Sequence, residues 1–434
     1  MNNQEWIVSY EEFVRETMLG CKVPGAAIGV AKHGQLIYAK GFGYRDIEQG
    51  QVVTVDTLFG IASITKSFTA IAIMQLQEAG KLTVADPVSR FLPEFQVKTG
   101  SGGTEAITIH NFLTHSSGLP PLSCVDEALK RGINTYEELM TYMAQLEFPL
   151  LGAPGTEFSY SNDCYTLLGA IVERASGKPY STYVKEHILQ PAGMQHSCFS
   201  LAELHGYEDR TSLFETPPFQ SSGGLKSTLT DMMRYTELFR TKGLIGKERI
   251  LRTESVQQMI TPYFRCEQNQ YYGYGVAITP NFYGAVMLGH SGREKGIQAH
   301  MSIIPEYGLA TVVLTNLSGS PAAALAHGTF HCIENRPAKS THVTYKEYDL
   351  PTERLHEYAG EYGSMEGIHL QVSVDAGTLI ITVDHSDSFS LKAIDEDVFL
   401  ANVDGSDQTV RFIRDKNQTV IRMMGSYRQI PKRV

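Results

Sequence analysis

Ser63–Gly80 reads SITKSFTAIAIMQLQEAG. Apolar side chains surround this stretch on nearly every side, which describes a helix buried in a core, closed by Gly80 as a C′ residue. Its first turn holds the sequence's one S-x-x-K, Ser63-Ile64-Thr65-Lys66. A spacing of three places Ser63 and Lys66 on one helical face about a turn apart, close enough for the amine to take the hydroxyl proton. A lysine does this only when it is neutral or shares its proton, and desolvation in an apolar site drives it that way. The plainer reading, an N-cap serine and a surface lysine, needs a solvated face that Phe68, Ile71 and Met74 leave little room for.

Upstream, AAIGVAKHGQLIYAKGFGY reads as a hairpin around Lys32-His33-Gly34-Gln35, preceded by a short amphipathic helix from Glu11 to Leu19. Downstream, residues from about 83 to 260 are mostly helical periods broken by Pro and Gly: Thr108–His115, Tyr136–Leu146, Cys164–Ala175 and Leu229–Lys242. Strand character returns in GAVMLGHSG, GIQAHMSIIP and GLATVVLTNL, followed by the helical PAAALAHGTFHCI. Pairing these strands with the N-terminal hairpin gives an α+β fold: an antiparallel sheet flanked by helices, with an all-α region inserted at about 83–260. RPAKSTH is then a polar linker, and HLQVSVDAGTLIITVD and the segments to Met424 alternate with period two, as in a small all-β domain. The expected domains are 1–338 and 343–434. TGSGG at Thr99–Gly103 reads as a surface turn.

The chain has 434 residues, 42% hydrophobic and 19% charged, with a net charge of −10. Such a chain is globular, and its summed field repels nucleic acid and anionic membrane surfaces. No apolar run reaches the ~20 residues of a spanning helix, and the opening MNNQEWIVSYEEF has neither the basic nor the apolar region of an export signal. The expectation is a soluble, cytoplasmic protein. Cysteines 21, 124, 164, 198, 266 and 332 form no C-x-x-C or ligand ladder and read as reduced core residues. His327 and His331 have i, i+4 spacing but no accompanying H-E-x-x-H glutamate, so they read as structural and no metal site is expected.

Two further motifs carry chemistry. Tyr160-Ser161-Asn162, the one Y-x-N, lies in the extended PGTEFSYSN before a helix that starts near Asp163. A tyrosine so placed can relay a leaving-group proton, and an amide two residues on can bond a substrate carbonyl; a buried tyrosine with an N-cap asparagine is the structural alternative. Gly289-His290-Ser291-Gly292-Arg293 ends a strand, where short residues let substrate lie alongside and a backbone N–H can face an oxyanion. Ser291 as a nucleophile-elbow serine fails on Arg293, which stands where G-x-S-x-G needs glycine.

S-I-T-K, Y-S-N and H-S-G, in that order on helix, loop and strand, resemble the three motifs of the penicillin-recognising serine enzymes, nearest to the class C β-lactamase and D-Ala-D-Ala carboxypeptidase branch and its esterase relatives. DTLFGIASITKSFTA, LTHSSGLP, PGTEFSYSN, SSGGLKSTLTDMMRY and GHSGREKG are similar to stretches of that family, over about residues 20 to 335. The resemblance implies that Ser63 is the acylated nucleophile, Lys66 its base and Tyr160 the proton shuttle. It implies that Asn162 and the strand residues His290, Ser291, Gly292 and Arg293 bind substrate, with the Ser63 and Arg293 backbone N–H groups as the oxyanion hole. His290 departs from the lysine that β-lactamases and carboxypeptidases carry in K-T-G. A neutral imidazole anchors a carboxylate poorly, which moves the expectation toward an esterase, amidase or D-amino-acid peptidase, with Arg293 or Lys295 as replacements for the missing charge. The reading is a serine hydrolase acting through an acyl-enzyme on a small-molecule or short-peptide substrate, without cofactor. A β-lactamase or D,D-carboxypeptidase is one alternative, and a non-catalytic binding protein on the same fold is the other. The C-terminal β-domain is expected to border the active-site mouth or to mediate assembly.

Overall fold

The computed structural model describes residues 5–96, 98–99, 106–122, 128, 130–204, 206–384, 387–403 and 406–433. Cys124 and most of the TGSGG loop lie outside the described residues. A nine-stranded antiparallel sheet forms the centre. Its strands in chain order are β1 (Gly25–Lys32), β2 (Gln35–Asp46), β3 (Gln51–Val52), β4 (Phe264–Glu267), β5 (Gln270–Tyr272), β6 (Ala277–Phe282), β7 (Ala285–Glu294), β8 (Ile297–Ile304) and β9 (Leu309–Thr315). They lie in the order β4-β5-β6-β7-β8-β9-β1-β2-β3, so the N-terminal hairpin joins the later strands through β1 and β9. The hairpin turns at His33 and Gly34, both at positive φ, as a two-residue turn between twisted strands requires.

Period-two alternation assigns the two faces of this sheet. Ala27 and Ala31 of β1, Ala299, Met301 and Ile303 of β8, and Val312 and Leu314 of β9 enter the main core. That core also holds α2 (Thr65–Glu78), α3 (Asn162–Ser176) and α4 (Leu229–Arg240). Ala26, Ile28, Val30 and Val313 point the other way, under α1 (Glu5–Gly20) and α5 (Ala322–Ile333). Gly29 allows the close approach of α4, since a Cβ there would stand 2.9 Å from Met233 and 3.0 Å from Leu229. Helix α2 is buried on all sides from Thr65 to Met74, and Phe68 stacks on Tyr235 of α4 at 4.0 Å. Gly80 takes φ +67 just beyond it.

The structure departs from the sequence expectation in three places. The first helix starts at Glu5 and not at Glu11, because Trp6 and Tyr10 also pack under the sheet. Strands β4 to β6 widen the sheet beyond the hairpin and the three later strands. The inserted region is not purely helical: Lys98–Thr99 pairs with Glu147–Phe148, Phe59–Gly60 with Lys226–Ser227, and Leu244–Ile245 with Glu248–Arg249. These two-residue ladders form where loops cross and are too short to leave a periodic signal.

A separate C-terminal all-β domain follows. Its eight strands run as a meander from Gly360–Gly363 to Arg428–Pro431. A bridge between Tyr362 and Lys432 and a bond from Arg433 N to the Glu361 carbonyl (2.7 Å) bring its first and last strands together in a near-barrel. Its core is its own, built on Tyr358, Tyr362, Val372, Phe399 and Phe412. The turn at Ser426-Tyr427 reaches back to the first domain: Tyr160 N donates to the Tyr427 carbonyl (2.9 Å) and Gln429 Nε2 donates to Glu157 (2.9 Å) and to the Phe158 carbonyl (3.0 Å).

Candidate active site

Ser63 sits in a 3-10 turn, Ala62–Ile64, immediately ahead of α2. The N-cap of α2 is Ile64 and no side chain caps it, so the Ser63 hydroxyl is not used as a helix cap. Ala62, buried and non-glycine, holds φ +43, a sparsely populated conformation that persists only where the surroundings impose it. The turn leaves Ser63 partly accessible while Lys66, one turn on, is fully buried.

Lys66 Nζ lies 3.2 Å from Ser63 Oγ, 2.8 Å from Asn162 Oδ1 and 2.6 Å from the Ser222 carbonyl. The last two atoms can only accept. A neutral amine therefore gives them its two N–H groups and turns its lone pair to the Ser63 hydroxyl. Burial holds Lys66 well below the ordinary lysine range, reinforced by the Arg428 guanidinium and opposed by Asp163 and Glu366. Gly223 and Gly224 follow Ser222 at the end of a short helix, Gln220–Gly223, which brings this carbonyl to the amine.

Tyr160 and Asn162 come from the loop that enters α3. Ser161, not Asn162, is the N-cap, accepting from Cys164 N at 3.3 Å, which releases the Asn162 amide for Lys66. Tyr160 is 5% exposed, its hydroxyl neighbours Ser63, and its ring centroid is 4.9 Å from Lys66 Nζ. Burial pushes its phenol up, so it stands protonated, with Ser63 and Arg428 opposing. His115 supports it from below: the rings are 4.2 Å apart, and His115 Nδ1 accepts from Ser161 N at 3.1 Å. Burial holds His115 well below the ordinary histidine range and keeps it neutral. LTHSSGL thus holds the tyrosine loop.

The third motif divides across the sheet. Gly292 faces Ser63 and His290, on the same side of the strand, lies towards Tyr160 with ring centroids 6.3 Å apart, whereas Ser291 and Arg293 point to the opposite face. Ser291 Oγ bonds His300 Nδ1 (2.8 Å) and Arg293 Nε donates to Ser318 (3.2 Å). Their side chains are therefore not brought to the site, which corrects their expected side-chain role and that of Arg293 as a replacement cation. Lys295 lies over Phe214 at 5.7 Å. Gly292 packs on the serine turn so closely that a Cβ would meet the Ile61 carbonyl oxygen at 2.1 Å and Ser63 N at 3.1 Å. Pairing of β7 with β6 ends at Gly289, so the edge at 290–294 carries no strand partner there and lies against residues 62–64. His290 Nδ1 donates to the Ser291 carbonyl (2.6 Å), and Nε2 accepts from the Tyr272 hydroxyl (2.8 Å). Both nitrogens are spent, and burial lowers His290 to about 3. It is a neutral wall, not a cation.

The C-terminal domain supplies residues that sequence reasoning missed. The Arg428 guanidinium lies 5.2 Å over the Tyr160 ring, the Tyr427 ring is 6.3 Å from it, and Glu366 pairs with Arg428. No local motif marks them, since their position depends on how one domain docks on the other. His327 and His331 are packed against Phe282 under the sheet, and no group of three or more His, Cys, Asp or Glu among the described residues is placed to hold a metal ion. No helix among the described residues is long and apolar enough to cross a membrane.

Comparison with known proteins places this geometry. The beta-lactamase family model matches residues 11–330, and a domain of unknown function, DUF3471, matches 345–427. Protein flp of Staphylococcus aureus (strain MW2) is 35% identical over 187 residues, 43% of this chain and 37% of flp. Esterase EstB of Burkholderia gladioli is 35% identical over 206 residues, 45% of this chain and 50% of EstB. The chain thus spans half or less of these curated relatives. Among solved structures, the octameric penicillin-binding protein homologue from Pyrococcus abyssi aligns over 98% of this chain and 100% of its own, with a TM-score of 0.70 and 30% identity. SurE with D-Leu shares the fold at a TM-score of 0.73 and 24% identity, over 99% of each chain. This chain belongs to the beta-lactamase family.

Proposed function

We propose that this member of the beta-lactamase family is a serine hydrolase that cleaves ester or amide bonds through an acyl-enzyme on Ser63. The observation that carries the reading is the Lys66 amine: wholly buried, with two obligate acceptors on its N–H groups and its remaining position on Ser63 Oγ. Lys66 takes the hydroxyl proton as Ser63 Oγ attacks the substrate carbonyl. The oxyanion forms in the slot between Ser63 N and the edge of β7, where the backbone N–H of Arg293 is the second donor. Tyr160, protonated and beside Ser63, gives its proton to the leaving group as the C–O or C–N bond breaks. The tyrosinate left behind takes up the proton carried by Lys66, whose amine stands 4.9 Å from the centre of the Tyr160 ring. Water then attacks the acyl carbonyl, loses its proton to the same pair, and releases the acid and free Ser63.

A neutral His290 in the third motif supports small esters, amides or D-amino-acid peptides over β-lactams as substrates, and the esterase relative agrees with that choice. Ser63→Ala is expected to abolish turnover of p-nitrophenyl acetate with the fold intact, and a fluorophosphonate is expected to add to Ser63 by intact mass. Wild-type rates in Ser63→Ala refute the reading. A panel of nitrocefin, a p-nitrophenyl ester and a D-amino-acid peptide then ranks the substrate classes. Nitrocefin turned over fastest would establish the β-lactamase alternative.

A further inference from the structure

The third motif offers no cation, yet a guanidinium stands at the catalytic tyrosine, and it comes from the other domain. Arg428 opens the last strand, directly after the turn at Ser426 and Tyr427. Both turn residues have positive φ, 48 and 68, a conformation that favours glycine and that serine and tyrosine adopt here without it. Docking holds the turn in place: Tyr160 N bonds the Tyr427 carbonyl and the Tyr427 hydroxyl bonds Gln270. Arg428 is thereby carried over the Tyr160 ring, with about a fifth of its side chain still exposed. Its partner Glu366, also from the C-terminal domain, is nine-tenths buried. The pair meets through one atom of each group, Glu366 Oε1 and Arg428 Nε. A carboxylate of the chain itself thus occupies the guanidinium without the fork-on-fork contact that such a pair can reach.

We propose that Arg428 is the substrate anchor of this site, recognising a carboxylate on the leaving-group side of the scissile bond, and that Glu366 is the internal carboxylate that holds the place until substrate takes it. The side is set by Tyr160, the proton donor to the leaving group, over which Arg428 lies. The proposal rests on the serine hydrolase reading above. It makes the active site a composite of two domains, with the nucleophile from one and the specificity from the other.

Three phenyl acetates of one size test it, differing only in a para carboxylate, carboxamide or aminomethyl group. The readout is kcat/KM for the carboxylate divided by that for the carboxamide, on folded full-length protein. A charge-assisted contact gives the wild type a ratio of roughly ten or more. Arg428→Gln brings the ratio toward one, Arg428→Lys keeps part of it, and Glu366→Gln raises it through a lower KM for the carboxylate. Opposite signs for Arg428→Gln and Glu366→Gln separate an anchor from a merely structural ion pair, whose two halves would fail alike. A wild-type ratio of one or less, or both variants moving it the same way, overturns the anchor. No turnover of any ester with fluorophosphonate still adding to Ser63 overturns the anchor and spares the nucleophile. No turnover and no adduct overturns both.

Discussion

Gly292→Ala is the sharpest perturbation of the serine turn. A methyl carbon built there stands 2.1 Å from the Ile61 carbonyl oxygen and 3.1 Å from Ser63 N. An ordinary carbon–oxygen contact is about 3.4 Å, so β7 and the turn must part by roughly 1.3 Å. The obstacle is backbone, and Ile61 is pinned by its own N–H on the Leu225 carbonyl at 3.0 Å, so no side-chain rotation relieves it. Oxyanion donors act at about 2.7–3.1 Å, and an opening of this size takes one of them out of reach, which lowers acylation by about 10²–10³-fold, or ~3–4 kcal/mol. Overpacking adds a stability loss of about 1–3 kcal/mol. Stopped-flow measurement of the p-nitrophenolate burst reads the first effect and urea unfolding the second. Gly20→Ala, where a Cβ meets nothing within 4 Å, is the control and stays near wild type in both. Acylation within threefold of wild type in folded Gly292→Ala would show that the slot between β7 and Ser63 is not where the oxyanion forms.

Two predictions concern pH. Lys66 serves as a base only when neutral, and burial lowers its pKa, so acylation rises with pH through that lowered value and is flat well before the ordinary lysine range; a rate still climbing at pH 10 refutes this. Glu267, buried against Thr409 at the domain interface, is pushed by that burial from the usual 4.5 up to about 7. The folded protein therefore holds this proton where the unfolded chain has lost it, and stability falls as pH rises through that window, by on the order of 3 kcal/mol. Glu267→Gln removes this slope, leaving the variant relatively more stable at pH 8 than at pH 4 by unfolding titration; parallel wild-type and variant curves refute the assignment.

Much of the site is legible in the sequence because its chemistry is local. The spacing of Ser63 and Lys66 is a helix property, and an apolar surround on a helix dictates burial of the amine. Strand alternation could also have separated His290 and Gly292 from Ser291 and Arg293, since neighbours on a strand face opposite ways. Strands β4 to β6 were not legible: β4 and β5 have four and three residues, β6 carries Pro280 in its middle, and they become strands by pairing in turn onto the edge of β7. Arg428 and Glu366 were beyond reach for another reason. Their place at Tyr160 exists only in the docked arrangement of two domains, and no window of sequence contains both sides of it.

The bonds between Gln429 and the loop before Tyr160 span 270 positions of chain. Contacts of such sequence separation close late, after local helices and hairpins have formed. A first domain emerging from the ribosome can collapse around α2 and bring Ser63 and Lys66 together. The tyrosine loop still lacks its backbone partner and its guanidinium until the hairpin at Ser426-Tyr427 has been synthesised and has docked. On the proposed mechanism, nascent chains carry a nucleophile without its full proton relay, and competence arrives with the second domain, as a timer set by translation.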